Sequence, residues 1–290
     1  MHRSPSTVDW LLLLILSAIW GVSFVFIKRA VNIYSPLQMA AWRMVLALVA
    51  YAPIAWLFWP KIDWTRWRAL LVVAFCGSAI PNFFFAVAQT RVSSSLAGVL
   101  NSLTPLFTLL LGAAFFHVRP SMGKIWGVVV GLVGAVALVF FQRGRVVDGA
   151  IGYAWLCAVA TLCYAINANT VSRHLRDQHP AAIASGAFVL TGGLFLAVLW
   201  WSGGWSAAWA HPQGWIGLGY IGYLAVLGTV GGSILYFWLL QRTGALFATS
   251  VTYLLPVAAL IAGMLDGEAV NAFDLAGTSL ILTGIYLARK

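Results

Sequence analysis

Charge is what this chain has least of. Of its 290 residues only 8% are Asp, Glu, Lys or Arg, and just seven are acidic. Soluble domains carry about 25% charged residues, so a water-facing surface cannot be assembled from this set. That excludes an ordinary soluble enzyme. Cysteine is scarce as well: Cys76, Cys157 and Cys163 all lie within apolar segments, which argues against a disulfide framework and offers no metal spacing. Catalytic motifs are missing too, with no His-Glu-x-x-His, no Gly-x-Ser-x-Gly and no paired carboxylates inside an apolar run. Nor are there the charge rings or the carbonyl filter motif of a channel. The sequence implies no cofactor and no metal.

What it has in abundance is apolar length. Hydrophobic residues make up 62% of the chain, gathered in runs near the ~20 residues that a membrane-spanning helix needs. The runs are too long and too unalternating for the ~10-residue strands of an outer-membrane barrel. The expected class is an all-α polytopic membrane protein. Its spans fall near 10–28, 37–58, 69–89, 93–116 and 122–141 in the first half, and near 150–171, 181–201, 215–240, 246–265 and 272–288 in the second. The first run leads to Lys28-Arg29 instead of a small-residue cleavage site, so it reads as a retained span.

Basic residues set the orientation. With the N-terminus inside, eleven Lys and Arg fall in inner segments and five (Lys28, Arg29, Arg91, Arg143, Arg145) in outer ones, leaving Arg43 within a span. By the positive-inside rule both termini are cytoplasmic. The formal net charge of +10 is thereby a topology signal, and nucleic acid is not an expected partner. Tryptophans 10, 56, 59, 64, 67, 126, 200, 201, 205, 209 and 215 sit near expected span ends, where indole rings favour the headgroup level. Trp20 does not, because it falls mid-span.

The two halves resemble each other. Trp10 with Lys28-Arg29 corresponds to Trp155 with Arg173-His174, and Phe85-x-x-x-Gln89 to Phe237-x-x-x-Gln241. Leu103-Thr104-Pro105 corresponds to Leu254-Leu255-Pro256, and Gly127 and Gly134 to Gly277 and Gly284. Five spans per half is an odd number, so the second half enters the membrane in the opposite sense. That predicts two inverted five-helix modules, 1–145 and 146–290, with a site near the midplane between them.

On these residues the chain resembles a known family. Ala97 to Leu138, with its Leu-Thr-Pro and glycine-rich following helix, is similar to the EamA module of the drug/metabolite transporter superfamily. The stretch around Leu254-Leu255-Pro256, Gly267-Glu268 and Gly277 to Gly284 resembles it again. Within that superfamily the chain is most similar to bacterial amino-acid exporters of the YddG type. The resemblance implies a carrier of small metabolites in the inner (plasma) membrane. One departure stands out: the Gly-Glu pair at 267–268 is replaced in the first half by Phe116-His117.

Polar side chains inside the spans need partners or a wet cavity. The candidates for substrate binding are Trp20, Ser78, Asn82, Gln89, Asn101, Ser102, Tyr164, Asn167, Tyr236, Thr252 and Tyr253. Interhelical hydrogen bonding is the competing role for each. Together they predict an amide-, hydroxyl- and aromatic-lined pocket suited to a zwitterion or a mildly polar aromatic. Pro105 and Pro256 are expected as hinges, each freeing a carbonyl one turn earlier that either faces substrate or only shapes packing. Pro81-Asn82 predicts a further break. Arg43 either snorkels to the headgroups or attracts a substrate carboxylate. Gly123, Gly127 and Gly131 predict close helix packing, without establishing a dimer; a monomer or weak dimer is expected.

All seven acids and five histidines fall at span ends or in loops, with Asp266, Glu268 and Asp274 candidates for an outer vestibule. Without an intramembrane ionisable relay, facilitated transport or exchange is favoured over tight proton coupling. The expected function is export of amino acids, neutral and aromatic ones included, by alternating access. The alternatives are a lipid or lipid-linked-sugar flippase and a proton-coupled drug exporter.

Overall fold

The computed structural model describes residues 5–92, 94–116, 118–141, 151–258 and 272–288. Among them every regular element is helical. The first half contains α1 (Thr7–Ala30), α2 (Pro36–Phe58), α3 (Trp67–Ala74), α4 (Ile80–Ala88), α5 (Ser94–Asn101), α6 (Thr104–Phe115) and α7 (Met122–Phe141). The second contains α8 (Ile151–His174), α9 (Pro180–Trp201), α10 (Gly204–Ala210), α11 (Gly214–Tyr223), α12 (Gly232–Thr243) and α13 (Ala245–Thr249). It continues through a 3-10 turn (Ser250–Tyr253) into α14 (254–258), and α15 (Ala272–Ala288) follows. Among the described residues seven helical stretches are long and apolar enough to cross a membrane, and Met122–Gly134, Ala245–Ala258 and Ala276–Leu287 are shorter apolar helices. Asp266, Gly267 and Glu268 lie outside the described residues, as do Arg143, Arg145 and His117.

Helix starts follow local chemistry. Ser6 and Asp9 form a reciprocal capping box at α1, and Ser35 and Gln38 form one at α2 with Pro36 behind the cap, an arrangement that satisfies otherwise unpaired first-turn N–H groups. The outer faces are apolar. In α1, Leu12, Leu13 and Leu16 are buried while Leu11, Leu14 and Ile15 are exposed, which suits a helix with lipid on one side. Trp56, Trp59, Trp67, Trp126, Trp200, Trp201, Trp205, Trp209 and Trp215 are all exposed, as interfacial rings should be. The segment after Trp201, expected as a loop, holds the short helix α10. It starts after Gly203, whose φ of 67° favours a residue without a Cβ.

Three expected breaks take a different form. Pro81 does not interrupt its span. The turn before it widens into a π-helix at Phe75–Ala79, which absorbs the lost N–H and the ring clash. The second half has its own π-helix at Leu224–Gly231, between α11 and α12, with glycines where the first half has a proline. Pro105 and Pro256 are not mid-helix kinks. Pro105 opens α6 after a tight turn at Ser102–Leu103, and Pro256 lies in the first turn of α14, where a missing N–H costs nothing. The spans that carry them are therefore two helices end to end.

Glycine sets the closest helix contact. A Cβ on Gly284 of α15 would strike the backbone of Gly131 and the carbonyl of Gly127 in α7, and one on Gly134 would strike Ile281 and Gly277. The expected stripe is thus used between α7 and α15, at Gly127 and Gly131. Gly123, at the start of α7, is half-buried.

At one end the halves are clasped by charge. Buried Asp9 of α1 accepts from Nε of Arg242 in α12, whose guanidinium lies over Trp238. Gln241, beside it, donates Nε2 to the carbonyl of Gln178 at 2.7 Å. The adjacent Asp177 takes both Nη atoms of Arg66, at 2.5 and 2.7 Å. That two-pronged contact holds the Asp177 carboxyl below its ordinary range.

Candidate substrate cavity

A cavity of about 100 Å³ lies between the halves, room for several waters or a small solute. α1 contributes Trp20, Ser23, Phe24 and Ile27, α2 contributes Arg43, and the first π-helix contributes Gly77 and Ser78. Asn82 and Phe85 of α4 and Asn101 and Thr104 at the α5–α6 break complete the first-half lining. The second half supplies Tyr164 and Asn167 of α8, Gly228 and Thr229 of the second π-helix, and Ser233, Tyr236 and Phe237 of α12. Thr249, Val251 and Thr252 close it at the α13 break. Broken helices and π-helices from both halves therefore meet at one place.

The π-helices matter because they release carbonyls. Trp20 Nε1 donates to the Gly228 carbonyl at 2.9 Å, and the Tyr51 hydroxyl lies 3.3 and 3.4 Å from the carbonyls of Thr229 and Val230. This explains a tryptophan in mid-span: its indole N–H finds an acceptor that a regular helix would have consumed. The Trp20 ring leans on Tyr236, centroids 5.5 Å apart. Phe85 links the rings of Phe24 and Tyr164 at 5.6 and 6.2 Å. One wall of the cavity is aromatic.

Of the residues expected to bind substrate, Trp20, Ser78, Asn82, Asn101, Tyr164, Asn167, Tyr236 and Thr252 are brought together here. Gln89, Ser102 and Tyr253 are not. Gln89 ends α4, where its carbonyl takes Lys28 Nζ at 2.6 Å and its Oε1 faces Ser94. Ser102 Oγ donates to the Thr252 carbonyl at 3.0 Å. Tyr253 fills the glycine seam, its ring against Gly131 and its hydroxyl donating to Val128 O at 3.0 Å. These three knit helices together. The carbonyls freed by the prolines are also taken: Asn101 O accepts Thr104 Oγ1 at 2.7 Å, and Thr252 O accepts Ser102 Oγ.

Arg43 is the one charged side chain among the described lining residues. It is only 6% exposed and does not snorkel to the surface; its Nε donates to Thr229 Oγ1 at 3.0 Å. Sequence reasoning missed Ser23, Phe24, Thr229, Ser233, Phe237 and Thr249. A signal for Thr229 was present: Gly77-Ser78 and Gly228-Thr229 recur at the offset that relates Asn101 to Thr252.

A helical, lipid-facing chain with a polar cavity between its halves is a polytopic membrane protein built around a solute-sized site. The sequence profile of the EamA-like transporter family matches residues 9–140 and again 150–289. This chain belongs to that family, within the drug/metabolite transporter superfamily. It is 27% identical to an "Uncharacterized transporter" of Archaeoglobus fulgidus, over 96% of this chain and 97% of that one. It is 25% identical to a "Probable amino-acid metabolite efflux pump" of Escherichia coli, over 97% and 95%. A third relative is the "Uncharacterized inner membrane transporter YedA" of Escherichia coli, 27% identical over 93% and 86%. A solved crystal structure superposes with a TM-score of 0.69 at 15% identity, over 98% of this chain and 97% of the other; that likeness speaks for the fold alone. The chain is a multi-pass inner-membrane transporter.

Proposed function

We propose that this protein is a secondary carrier that exports amino acids, neutral and aromatic ones included, by alternating access around the cavity between its halves. The supporting observation is the lining itself: amides, hydroxyls and aromatic rings from both halves, meeting where helices break. In this reading ten spans form two inverted five-helix modules, 1–145 and 146–290, with both termini cytoplasmic. The halves rock about the cavity, the breaks before Pro105 and Pro256 act as hinges, and the Asp9–Arg242 and Arg66–Asp177 contacts hold one end shut. Among the described lining residues there is no acid and no histidine, which supports facilitated transport over proton coupling. The name of the Escherichia coli efflux pump points to the same class of solute.

The test is uptake of a labelled amino-acid panel into liposomes that hold the purified protein and unlabelled amino acids, with and without a pH gradient. Saturable uptake indifferent to the gradient, and weakened by Asn101→Ala, is the expected result. Uptake that requires the gradient overturns the uncoupled mechanism. No uptake of any amino acid overturns the substrate class and favours another metabolite or a lipid.

A further inference from the structure

Arg43 poses an electrostatic problem that the fold alone does not solve. A buried cation without a counter-charge is strongly destabilising, because its lost hydration is not replaced. Among the described residues no carboxylate pairs with it: the ion pairs are Arg66 with Asp63 and Asp177, and Arg242 with Asp9. Its one protein hydrogen bond there, from Nε to Thr229 Oγ1, is itself oriented. The Thr229 hydroxyl donates to the Leu224 carbonyl at 3.0 Å, so its lone pair is left for the guanidinium. Gly228 lies beside the guanidinium; a Cβ there would be in ordinary contact, 3.4 Å from both Arg43 Nη2 and Ser23 Oγ. The guanidinium is thus held by one N–H in the wall of the cavity, and its fork of donors matches a carboxylate.

A second group is unsatisfied in the same cavity. Asn167 is 4% exposed, and its Oδ1 is buried without a hydrogen-bond partner. It packs over Gly77, where even a methyl group would sit 3.0 Å from the amide. A buried acceptor left unpaired carries its full desolvation penalty unless a ligand donor fills it. One cation and one acceptor without described partners to neutralise or satisfy them, and no acid among the described lining residues, describe a solute with a carboxylate and an N–H donor.

We propose that Arg43, positioned by Thr229, is the specificity-determining residue of this cavity: it pairs with the free carboxylate of the transported solute while Asn167 Oδ1 accepts from its ammonium group. The inference rests on the cavity being the transport site and deepens that reading. It makes the solute's carboxylate a bridge between the halves, since Arg43 belongs to the first and Thr229 and Asn167 to the second. It also predicts exclusion of amines that lack a carboxylate, which a merely aromatic cavity would accept.

The experiment measures ligand-induced thermal stabilisation of the purified full-length chain with alanine, leucine and phenylalanine. Each is offered as the amino acid, its carboxamide, its decarboxylated amine and its deaminated acid. At least one amino acid is expected to stabilise the protein, with its amide and amine about tenfold weaker or worse and its deaminated acid retaining part of the effect. Arg43→Gln is expected to abolish the preference for the acid, Arg43→Lys to restore part of it, and Thr229→Val to weaken it. The comparison of acid with amide in the unaltered protein stands even where a variant fails to fold. An amine that binds as tightly as its amino acid, or an Arg43→Gln protein that keeps the preference, overturns the role of Arg43 and leaves the carrier reading intact. If no compound in the three series binds, the role of Arg43 falls, and the uptake panel decides separately whether the carrier reading stands.

Discussion

Ser102 of the first half donates its hydroxyl to the main-chain carbonyl of Thr252 in the second, at 3.0 Å and fully buried. The acceptor is the carbonyl that Pro256, four residues on, leaves without a helical donor. Asn101, which corresponds to Thr252 in the first half, has its carbonyl satisfied by Thr104 of its own half. The two breaks are therefore joined by a bond that crosses between halves at the edge of the cavity.

Removing that donor takes the side-chain partner from a buried carbonyl. Ser102→Ala is expected to lower stability by about 1–3 kcal/mol, read as thermal unfolding in detergent. Ser206 supplies the contrast, because its hydroxyl donates to Gly203 within an exposed turn. Ser206→Ala is expected to stay within about 0.5 kcal/mol of the parent. Equal effects for the two would mean that the Ser102 bond contributes nothing particular to the break.

The α7–α15 seam makes a sharper prediction, since backbone cannot move aside as a side chain can. Gly284→Ala places a methyl group against Gly131 and the Gly127 carbonyl, and overpacking of this kind costs about 1–3 kcal/mol. Gly193 in α9 has nothing within 4 Å of its missing Cβ. Gly193→Ala should be neutral or stabilise by up to about 1 kcal/mol through helix propensity. Thermal melts of the two variants decide the matter, and a harmless Gly284→Ala would remove the argument for close packing.

Much of this arrangement was legible in the sequence, for a physical reason. A polar residue in an apolar run must be buried on protein, so Asn82, Asn101, Asn167 and Thr252 announced an interior. The same logic could not tell a cavity wall from a helix seam, because both demand hydrogen bonds. That is why Gln89, Ser102 and Tyr253 read like Asn101 and Thr252 in the sequence, although the structure places them outside the cavity lining. The π-helices left no trace readable from one segment. Their spare carbonyls are stabilised by Trp20 and Tyr51, far away in sequence. Arg43 was ambiguous from position alone, since snorkelling and burial differ only in which way a long side chain turns.

The loop before α9 carries a proton-sensitive contact. His179 is the N-cap of that helix, and its Nδ1 accepts the Ala181 N–H at 3.2 Å. Its ring stacks on Phe58, centroids 4.4 Å apart, with Lys61 Nζ over the other ring's face. Partial burial, then the Lys61 charge, hold its pKa below the ordinary histidine value. A group whose folded pKa is depressed contributes stability that is fully present above the unfolded value, about 6.5. That contribution is lost as pH falls through the folded value, where protonation also removes the Nδ1 acceptor. Asparagine caps a helix without titrating, so His179→Asn should match the parent at pH 7.5. Between pH 6.5 and 5 the parent should lose up to about 1 kcal/mol relative to the variant, the site being exposed. Thermal melts of both proteins across that range give the difference directly. Parallel curves would mean that the imidazole caps α9 no better neutral than charged.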